Sequence, residues 1–361
     1  MDRRRFLKTA GVGAAGAGAL AAPAIAQNVQ RVRMVTTWPR DFPGLGTGAQ
    51  RVANRITAAS GGRIEVELFA AGELVPPFES FDAVATGSAE MYHGADYYWG
   101  GKHLAYNFFT CVPMGFTAQE LQAWIHFGGG RALWDELGNQ FGVKGFLAGN
   151  TGPQMGGWFR NPIMSPDDLK GLTMRIPGIA GEVIRQVGGN AVALPGGEIF
   201  AALQAGTIDA TEWVGPYNDE AFGFHRLVKN YMYPGFHEPG SGLSVGINME
   251  WWEELDDADR AMIEACCTAE NDVMLAEFNA NNGPALDRLV NQHDVQVIEF
   301  PAEVFNVLIE ASEDVTASVA NVDDLGKRIY ESYYEFRKMV MPWTKLADEG
   351  YTIARGRFFG I

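Results

Sequence analysis

Strand-like and helix-like segments alternate along the first half of the chain. Positions that alternate between apolar and polar predict strands, and apolar residues three or four positions apart predict helices. In chain order these patterns predict a strand over Arg31–Trp38, a helix over Thr47–Ala59, a strand over Arg63–Phe69, helices over Pro77–Thr86 and Gln119–Leu137, and a strand over Gly142–Ala148. Such alternation is typical of an α/β fold with a largely parallel sheet.

A second round of alternation follows. The predicted segments are a strand over Gln154–Phe159, a turn that starts at Pro166 and is capped by Ser165, a strand over Leu172–Ile176, a helix over Gly178–Val187, and further alternating segments over Glu198–Gln204, Thr207–Trp213 and Leu243–Met249. Glycine and proline cluster near Asn150 and over Glu238–Gly242. These clusters predict two connections that join two α/β units.

From Glu250 onward the pattern becomes mainly helical. It predicts a long helix over Trp251–Asn281 that ends at Gly283-Pro284, a last strand over Val295–Phe300, and helices over Ala302–Ala320 and Asp323–Trp343. The final helix follows two complete units, so we expect its apolar face to brace both units or a second copy of the chain. The residues of that face are Ile329, Tyr330, Tyr333, Tyr334, Phe336, Met339 and Val340.

The first 26 residues have the pattern of a bacterial export signal. Arg3-Arg4-Arg5 precedes an uncharged stretch rich in glycine and alanine, and Ala24-Ile25-Ala26 fits the cleavage pattern. The paired arginines resemble the twin-arginine type of signal, which exports chains that are already folded. A membrane anchor is disfavoured because a spanning helix needs about 20 strongly apolar residues. We therefore expect cleavage after residue 26 and a mature protein in the periplasm.

The charge and length of the mature chain limit its partners and its architecture. Loss of the signal, which carries a net +3, lowers the formal charge from −16 to about −19. This acidity excludes nucleic acids and anionic lipid surfaces as expected partners. The remaining 335 of 361 residues exceed what one hydrophobic core usually serves, so two lobes are expected.

Three segments place polar side chains at predicted strand ends. The segment GNTGPQMGGWFR presents the amides of Asn150 and Gln154 from a glycine-rich stretch that a ligand can approach closely. The segment LTMRIPG places Arg175 at a strand end, where a guanidinium can bind a carboxylate through two parallel hydrogen bonds. In GTIDATEWVGPYND, Glu212 and Asn218 lie on either side of a turn at the carboxyl end of a strand.

Each of these residues also has an ordinary structural interpretation. The glycine-rich segment can be a turn, Arg175 can face solvent, and Glu212 and Glu238 can be solvated carboxylates. An exported enzyme that acts on a small organic acid is another alternative, because twin-arginine export often serves proteins that fold around a cofactor. The sequence has no GxSxG or HExxH motif, and His237-Glu238 lacks a second histidine, so a binding protein is favoured over an enzyme.

Together and in this order, the three segments resemble the solute-binding proteins of TRAP transporters, and within them the subgroup for 2-oxo and 2-hydroxy monocarboxylates. The resemblance covers the whole mature chain. It implies a two-lobed α/β periplasmic binding protein (type II-like) with a ligand cleft between the lobes and a long C-terminal helical segment. The implied ligand belongs to the class of pyruvate, 2-oxobutyrate and lactate, and is delivered to the membrane permease.

The resemblance also implies roles for individual residues. Arg175 binds the ligand carboxylate, and a cation, Na⁺ or Ca²⁺, lies beside the ligand. The implied cation ligands are oxygens of Gln154, Glu212, the backbone carbonyl of Trp213, and Glu238. Asn150, Gln154, Trp213, Asn218 and one aromatic of Tyr97-Tyr98-Trp99, for which Tyr98 is the candidate, complete the ligand pocket. An anion cannot approach two glutamates without such a compensating positive charge.

For the lobes we expect residues 27–151 with 241–280 to form lobe I and residues 152–240 with 281–325 to form lobe II. Residues 326–361 are expected to form a C-terminal helical tail. The resemblance to the keto-acid subgroup favours a homodimer in which two copies exchange this terminal helix. Packing of the helix along its own molecule is the alternative.

Overall fold

The computed structural model of the chain describes residues 29–360, so the predicted export signal and its cleavage site lie outside the described residues. The strands are β1 (Gln30–Thr36), β2 (Ile64–Phe69), β3 (Met91–Gly94), β4 (Val143–Asn150), β5 (Gly157–Phe159), β6 (Thr173–Arg175), β7 (Asn190–Val192), β8 (Ala210–Thr211), β9 (Asn230–Tyr233), β10 (Gly242–Asn248) and β11 (Gln296–Glu299).

Helices cover the sheets and form the C-terminal part of the molecule. They are α1 (Leu45–Ala59), α2 (Ser80–Ala85), α3 (Ala118–Phe127), α4 (Gly130–Asn139), α5 (Gly178–Gln186), α6 (Gly196–Ala205), α7 (Pro216–Phe222), α8 (Met249–Glu254), α9 (Asp257–His293), α10 (Ala302–Ala317), α11 (Asp324–Thr344) and α12 (Gly350–Phe359). Within residues 29–360, none of these helices is long and apolar enough to cross a membrane.

Two sheets form the frame of the molecule. Sheet I has the strand order β2-β1-β3-β10-β4, and sheet II has the order β11-β9-β5-β8-β6-β7. The chain leaves sheet I after Asn150 at the end of β4 and returns at Gly242 at the start of β10, and these two residues pair with each other. The structure therefore confirms two α/β units joined by two connections, which we call the first crossing (151–156) and the second crossing (234–241).

Both sheets are mixed, so the expectation of a largely parallel sheet is wrong. In sheet I, β1 is parallel to β2 and β3, whereas β10 is antiparallel to β3 and β4. In sheet II, β5 is antiparallel to β8 and β9. The double crossing causes this pattern. In sheet I, β4 ends at the first crossing and its neighbour β10 begins after the second crossing, so the two strands run in opposite directions. In sheet II, β9 ends at the second crossing and its neighbour β5 begins after the first crossing, with the same result.

The predicted helix over Gln119–Leu137 is two helices, α3 and α4. Gly128 and Gly129 separate them, and Gly129 has a φ of 90°. This left-handed conformation costs glycine little and other residues more. The turn between the helices allows both Trp124 and Trp134 to reach the buried core.

Helix α9 is a single helix of 37 residues and does not end at Gly283-Pro284. It packs on β4 and α1 beside sheet I and on α7 beside sheet II. Met274 and Phe278 are buried before the proline, and Ala285 and Leu289 are buried after it. Packing on both sides of Pro284 therefore outweighs the backbone hydrogen bond that the proline cannot make.

Helix α11 packs along its own molecule, against α3 and α4. The Tyr333 hydroxyl accepts a hydrogen bond from the Phe116 amide at 2.7 Å, and Ile329 is fully buried. The alternative expectation, that the helix packs along its own molecule, describes the residues Ile329, Tyr330, Tyr333, Tyr334, Phe336 and Val340, which pack on the core. Exposed large apolar side chains lie further along, at Met339, Met341, Trp343, Leu346, Tyr351, Ile353, Phe358 and Phe359.

Candidate ligand and cation site

The candidate site lies where the carboxyl ends of β6 and β8 meet the two crossings. These strands are parallel neighbours, and Arg175 pairs in register with Thr211. Arg175 is the last residue of β6, because Pro177 soon follows and cannot donate to a sheet. Glu212 is the first residue after β8. The two side chains therefore reach the same edge of sheet II.

Arg175 is fully buried and paired with Glu212. Its Nη1 forms an ion pair with Oε1 of Glu212, and its Nε donates to the carbonyl of Leu194 at 3.0 Å. Its Nη2 has no hydrogen-bond partner among residues 29–360. Burial alone would lower the pKa of Arg175, but the Glu212 carboxylate and the Tyr98 hydroxyl raise it, and the net shift is upward. The guanidinium therefore stays charged inside the protein.

Gln154 and Glu238 join the two crossings. The Gln154 side-chain amide donates to Oε2 of Glu238 at 2.7 Å, and the Ser241 hydroxyl donates to the same oxygen. The Gln154 main-chain amide also donates to the Glu238 carbonyl at 3.0 Å. Burial raises the pKa of Glu238 to about 7, and the nearby Glu212 carboxylate adds to this effect. Negative charge at this position is therefore poorly compensated by the protein alone.

His237 is a site residue that sequence reasoning missed. Its side chain is fully buried, and its Nε2 lies 3.5 Å from Oε2 of Glu212. Glu212, His237 and Glu238 each offer one ligand atom, and these atoms all lie within 4.8 Å of one another. The sequence shows no second histidine at a metal-binding spacing. The only available signal was the position of His237 beside Glu238 at a connection between units.

Unpaired polar atoms indicate room for a cation among these side chains. Across the described part of the chain, Gln154 Oε1 and Glu212 Oε2 are buried and accept no hydrogen bond, and neither ring nitrogen of His237 has a partner. Amide and carboxylate oxygens suit Ca²⁺ or Na⁺. Gln154, Glu212 and Glu238 therefore fit the cation that the resemblance implies. Trp213 follows Glu212 directly in the chain.

A cavity with room for about one water molecule lies between the site residues. Its walls are Trp38, Leu45, Tyr97, Tyr98, Thr151, Gln154, Trp213, Val214, Glu238, Ser241 and Leu243. Tyr97 and Tyr98 both line it, whereas Trp99 packs in the core beside sheet I, with its ring 5.4 Å from that of Tyr92. Two of the three candidate aromatics thus reach the cavity, and Tyr98 is one of them.

The two asparagines of the prediction have different surroundings. Asn218 is fully buried, and its Oδ1 accepts a hydrogen bond from the Trp213 indole at 3.3 Å. The Asn150 side chain accepts a hydrogen bond from the Gly152 amide at 2.8 Å, which closes a local turn at the end of β4. Asn150 is not among the residues that line the cavity.

The cavity is small because the two sides of the cleft touch each other. Asn218 donates to the carbonyl of Pro43, and Asn107 accepts from the amide of Ile179 at 2.9 Å. Pro43 and Asn107 belong to the side of sheet I, and Asn218 and Ile179 belong to the side of sheet II. The structure is thus a closed form, and a ligand larger than water enters after the cleft opens.

Residues 34–322 match the DctP family, described as bacterial extracellular solute-binding protein, family 7. The chain belongs to this family. The match confirms the prediction of a TRAP-type solute-binding protein that works outside the cytoplasm. It also confirms that the chain belongs to a family of transport receptors and not of enzymes.

This DctP-family chain is 39% identical over 358 residues to a monocarboxylate 2-oxoacid-binding periplasmic protein of Nostoc, across 97% of this chain and 98% of the relative. A TRAP solute-binding protein of Bordetella bronchiseptica has a TM-score of 0.88 and 35% sequence identity, and the match covers 91% of this chain and 98% of that protein. Its structure is a mixed-occupancy dimer with calcium and picolinate in one site and an empty second site. A TRAP solute-binding protein of Pseudoalteromonas atlantica, with bound sodium and pyruvate, has a TM-score of 0.86 and 36% sequence identity. The match covers 90% of this chain and 98% of that protein. These similarities confirm the two-lobed fold.

Proposed function

We propose that this protein binds a small 2-oxo or 2-hydroxy monocarboxylate together with a cation and delivers it to the permease subunits of a TRAP transporter. The observation that carries the proposal is the burial of one guanidinium, Arg175, beside two carboxylates, Glu212 and Glu238, in a closed cleft. The sodium and pyruvate of the Pseudoalteromonas protein, and the 2-oxoacid specificity in the name of the Nostoc relative, support the same ligand class.

Each site residue has a role in this proposal. Arg175 binds the ligand carboxylate, because a guanidinium can form two parallel hydrogen bonds with it. Oxygens of Gln154, Glu212 and Glu238 and the Trp213 carbonyl hold the cation, whose positive charge allows an anion to approach two glutamates. Tyr98, Trp213 and Asn218 enclose the rest of the ligand, and Asn150 shapes the first crossing beside it.

The charges of the cleft favour a divalent cation. Glu212, Glu238 and the ligand carboxylate bring three negative charges, and Arg175 brings one positive charge. A calcium ion neutralises the remaining two charges, whereas a sodium ion leaves one charge buried without compensation. Since an uncompensated buried charge is costly, we expect calcium to support ligand binding better than sodium.

The C-terminal helices support a homodimer as a second part of the proposal. Exposed apolar side chains between Met339 and Phe359 leave a surface that a second copy would cover. Beside them runs an apolar groove between α11 and the second crossing, with walls that include Met114, Phe236, Phe305, Met341 and Pro342.

The division of the chain into lobe I, lobe II and a tail stays a prediction, and the two sheets support it.

A ligand screen on the signal-free protein, residues 27–361, tests the proposed function. Thermal shift and calorimetry would be measured with pyruvate, 2-oxobutyrate, lactate and longer homologues, each with calcium, with sodium, and after chelation and desalting. We expect stabilisation by at least one 2-oxo or 2-hydroxy acid, and stronger binding when the cation is present. If none of these acids binds under any cation condition, the proposal is wrong.

A further inference from the structure

Neither edge of the Arg175 guanidinium is wholly free for a ligand. The edge formed by Nε and Nη2 is half used, because Nε donates to the Leu194 carbonyl at 3.0 Å. The other edge, formed by Nη1 and Nη2, is half used by the ion pair with Glu212. Nη2 belongs to both edges and has no partner within the described chain. A ligand carboxylate that binds through two hydrogen bonds therefore needs either Nη1, which Glu212 occupies, or Nε, which donates to a main-chain carbonyl. Of these two partners only Glu212 is a side chain that can move away.

Glu212 is also only half satisfied in this pair. Its Oε1 contacts Arg175, but its Oε2 accepts no hydrogen bond from any residue between 29 and 360. Oε2 faces the cluster with His237 and Glu238, and Glu238 is linked to Gln154, whose Oε1 is likewise unpaired. A cation in this cluster can contact the free Oε2, and a cation that binds both oxygens of Glu212 would displace Arg175 from Oε1.

We propose that Glu212 acts as a cation-controlled switch: without a cation its carboxylate occupies Arg175 in place of the ligand, and a cation draws it away and frees the guanidinium. The inference rests on the proposed function, since it assigns the order in which that site fills. The cation binds first, and the ligand carboxylate then takes the released edge of Arg175. Glu212 thus makes ligand binding depend on the cation.

The test is pyruvate binding by Glu212→Gln in protein that has been chelated and desalted. The amide keeps the size of the side chain but removes the charge that holds Arg175. We expect this variant to bind pyruvate without a cation at least tenfold more tightly than the wild type does without a cation, and to gain little from added calcium. Glu238→Gln is the matched control, because it also removes a carboxylate from the cluster but leaves the Arg175 ion pair intact. It should gain no cation-free binding.

A static bridge, in which Glu212 contacts Arg175 and the cation together, predicts the opposite result. In that case Glu212→Gln loses cation-dependent binding and gains no cation-free binding, and this outcome would overturn the switch. Circular dichroism and the melting temperature establish that the variant is folded. Pyruvate should stabilise the folded variant without a cation, because the ligand then neutralises a buried and unpaired Arg175.

A measurement on the wild type keeps the test independent of any variant. Calorimetric titration of calcium into chelated protein without pyruvate should show binding, since the cation comes first. Calcium binding that requires pyruvate would contradict the switch. Wild-type protein that binds pyruvate with calcium but fails these tests refutes only the switch, whereas wild-type protein that binds no 2-oxo or 2-hydroxy acid refutes the proposed function.

Discussion

The side-chain amide of Asn218 donates a hydrogen bond to the main-chain carbonyl of Pro43 at 2.9 Å, across the cleft between the two sheets. Asn218 lies on α7, and Pro43 lies between β1 and α1. The Trp213 indole donates to the other end of the same amide and so orients it. This hydrogen bond can exist only when the cleft is closed, and it therefore contributes to the free energy of closure.

Replacement of Asn218 by alanine should weaken ligand binding roughly two- to twelvefold, because a net hydrogen bond contributes about 0.5–1.5 kcal/mol. Small-angle scattering should also show a more open ligand-free protein, a change that the loss of a ligand contact alone would not cause. Asn291→Ala, at an exposed position of α9, is the control. An unchanged ligand-free shape would contradict the role of Asn218 in closure.

Replacement of Arg175 by lysine should weaken pyruvate binding by at least about tenfold, equivalent to 1.4 kcal/mol. Lysine keeps the charge but loses the planar pair of donors that matches a carboxylate. Calorimetry with calcium present measures the effect, and Arg185→Lys on the exposed face of α5 provides the matched control. Wild-type affinity in Arg175→Lys would show that this residue does not bind the ligand carboxylate.

Glu238→Gln should abolish cation-dependent ligand binding while the fold stays intact, because a carboxylate that serves the cation is lost. In the wild type, calcium should strengthen binding more than sodium does at equal ionic strength. Calorimetry after exhaustive chelation, followed by addition of each cation, measures both effects. Glu182→Gln, an exposed glutamate of α5, serves as the control. Cation-dependent binding in Glu238→Gln equal to that of the wild type would refute the assignment.

The stability of the protein should depend on pH through the buried His93. Its Nδ1 accepts from the Trp38 indole at 2.8 Å, its Nε2 lies 3.1 Å from the Ala148 carbonyl, and burial lowers its pKa from 6.5 to about 4. The unfolded state binds a proton below pH 6.5 and the folded state does not. Stability is therefore complete above pH 6.5 and falls by about 3 kcal/mol as the pH drops to 4.

The measurement for His93 is a comparison of urea unfolding between the wild type and His93→Gln from pH 7.5 to pH 4. Glutamine can accept from Trp38 and donate to Ala148 but does not titrate in this range. Burial raises the pKa of Asp96 to about 6 and that of Asp219 to about 7, which favours the folded state at low pH. The difference between the two proteins isolates the effect of His93. An equal pH dependence in both would contradict the prediction, and the exposed His126→Gln is the control.

Removal of residues 345–361 should convert a dimer into a monomer without unfolding the protein. These residues carry exposed apolar side chains such as Leu346 and Phe358, which the dimer is proposed to cover. Truncation near Lys327 would instead remove Ile329 and Tyr333 from the core. Light scattering at micromolar concentration measures the oligomeric state. A monomeric full-length protein would contradict the dimer, and a cooperative unfolding transition of the truncated protein is the control that it is still folded.

The sequence predicted the strand ends of the site better than the contacts between them. Proline and glycine after Arg175 and Glu212 mark the strand ends, and both residues lie there in the structure. Their ion pair joins residues 37 positions apart through the pairing of β6 with β8, and local periodicity contains no information on which strands are neighbours. His237 was missed for the same reason, because its burial depends on how the second crossing packs.

The helix pattern failed where tertiary packing overruled local preference. Pro284 is a strong helix breaker in isolation, but α9 continues through it because buried residues anchor both halves. The sequence left open which partner covers the apolar face of α11, since periodicity identifies a face but not the surface that covers it. The two glycines between α3 and α4 indicate a break between helices, but the apolar spacing continues across them and predicted a single helix.

Helix α9 lacks one backbone hydrogen bond in its interior, at Pro284. Residues before Pro284 pack on both sides, since Met274 and Phe278 lie in the same buried cluster as Leu289, which follows the proline. Because Pro284 has no amide hydrogen, the helical bond to the Ala280 carbonyl does not exist in any conformation. A bend of the helix at this point therefore breaks no backbone hydrogen bond, because the bond that would resist it is already missing.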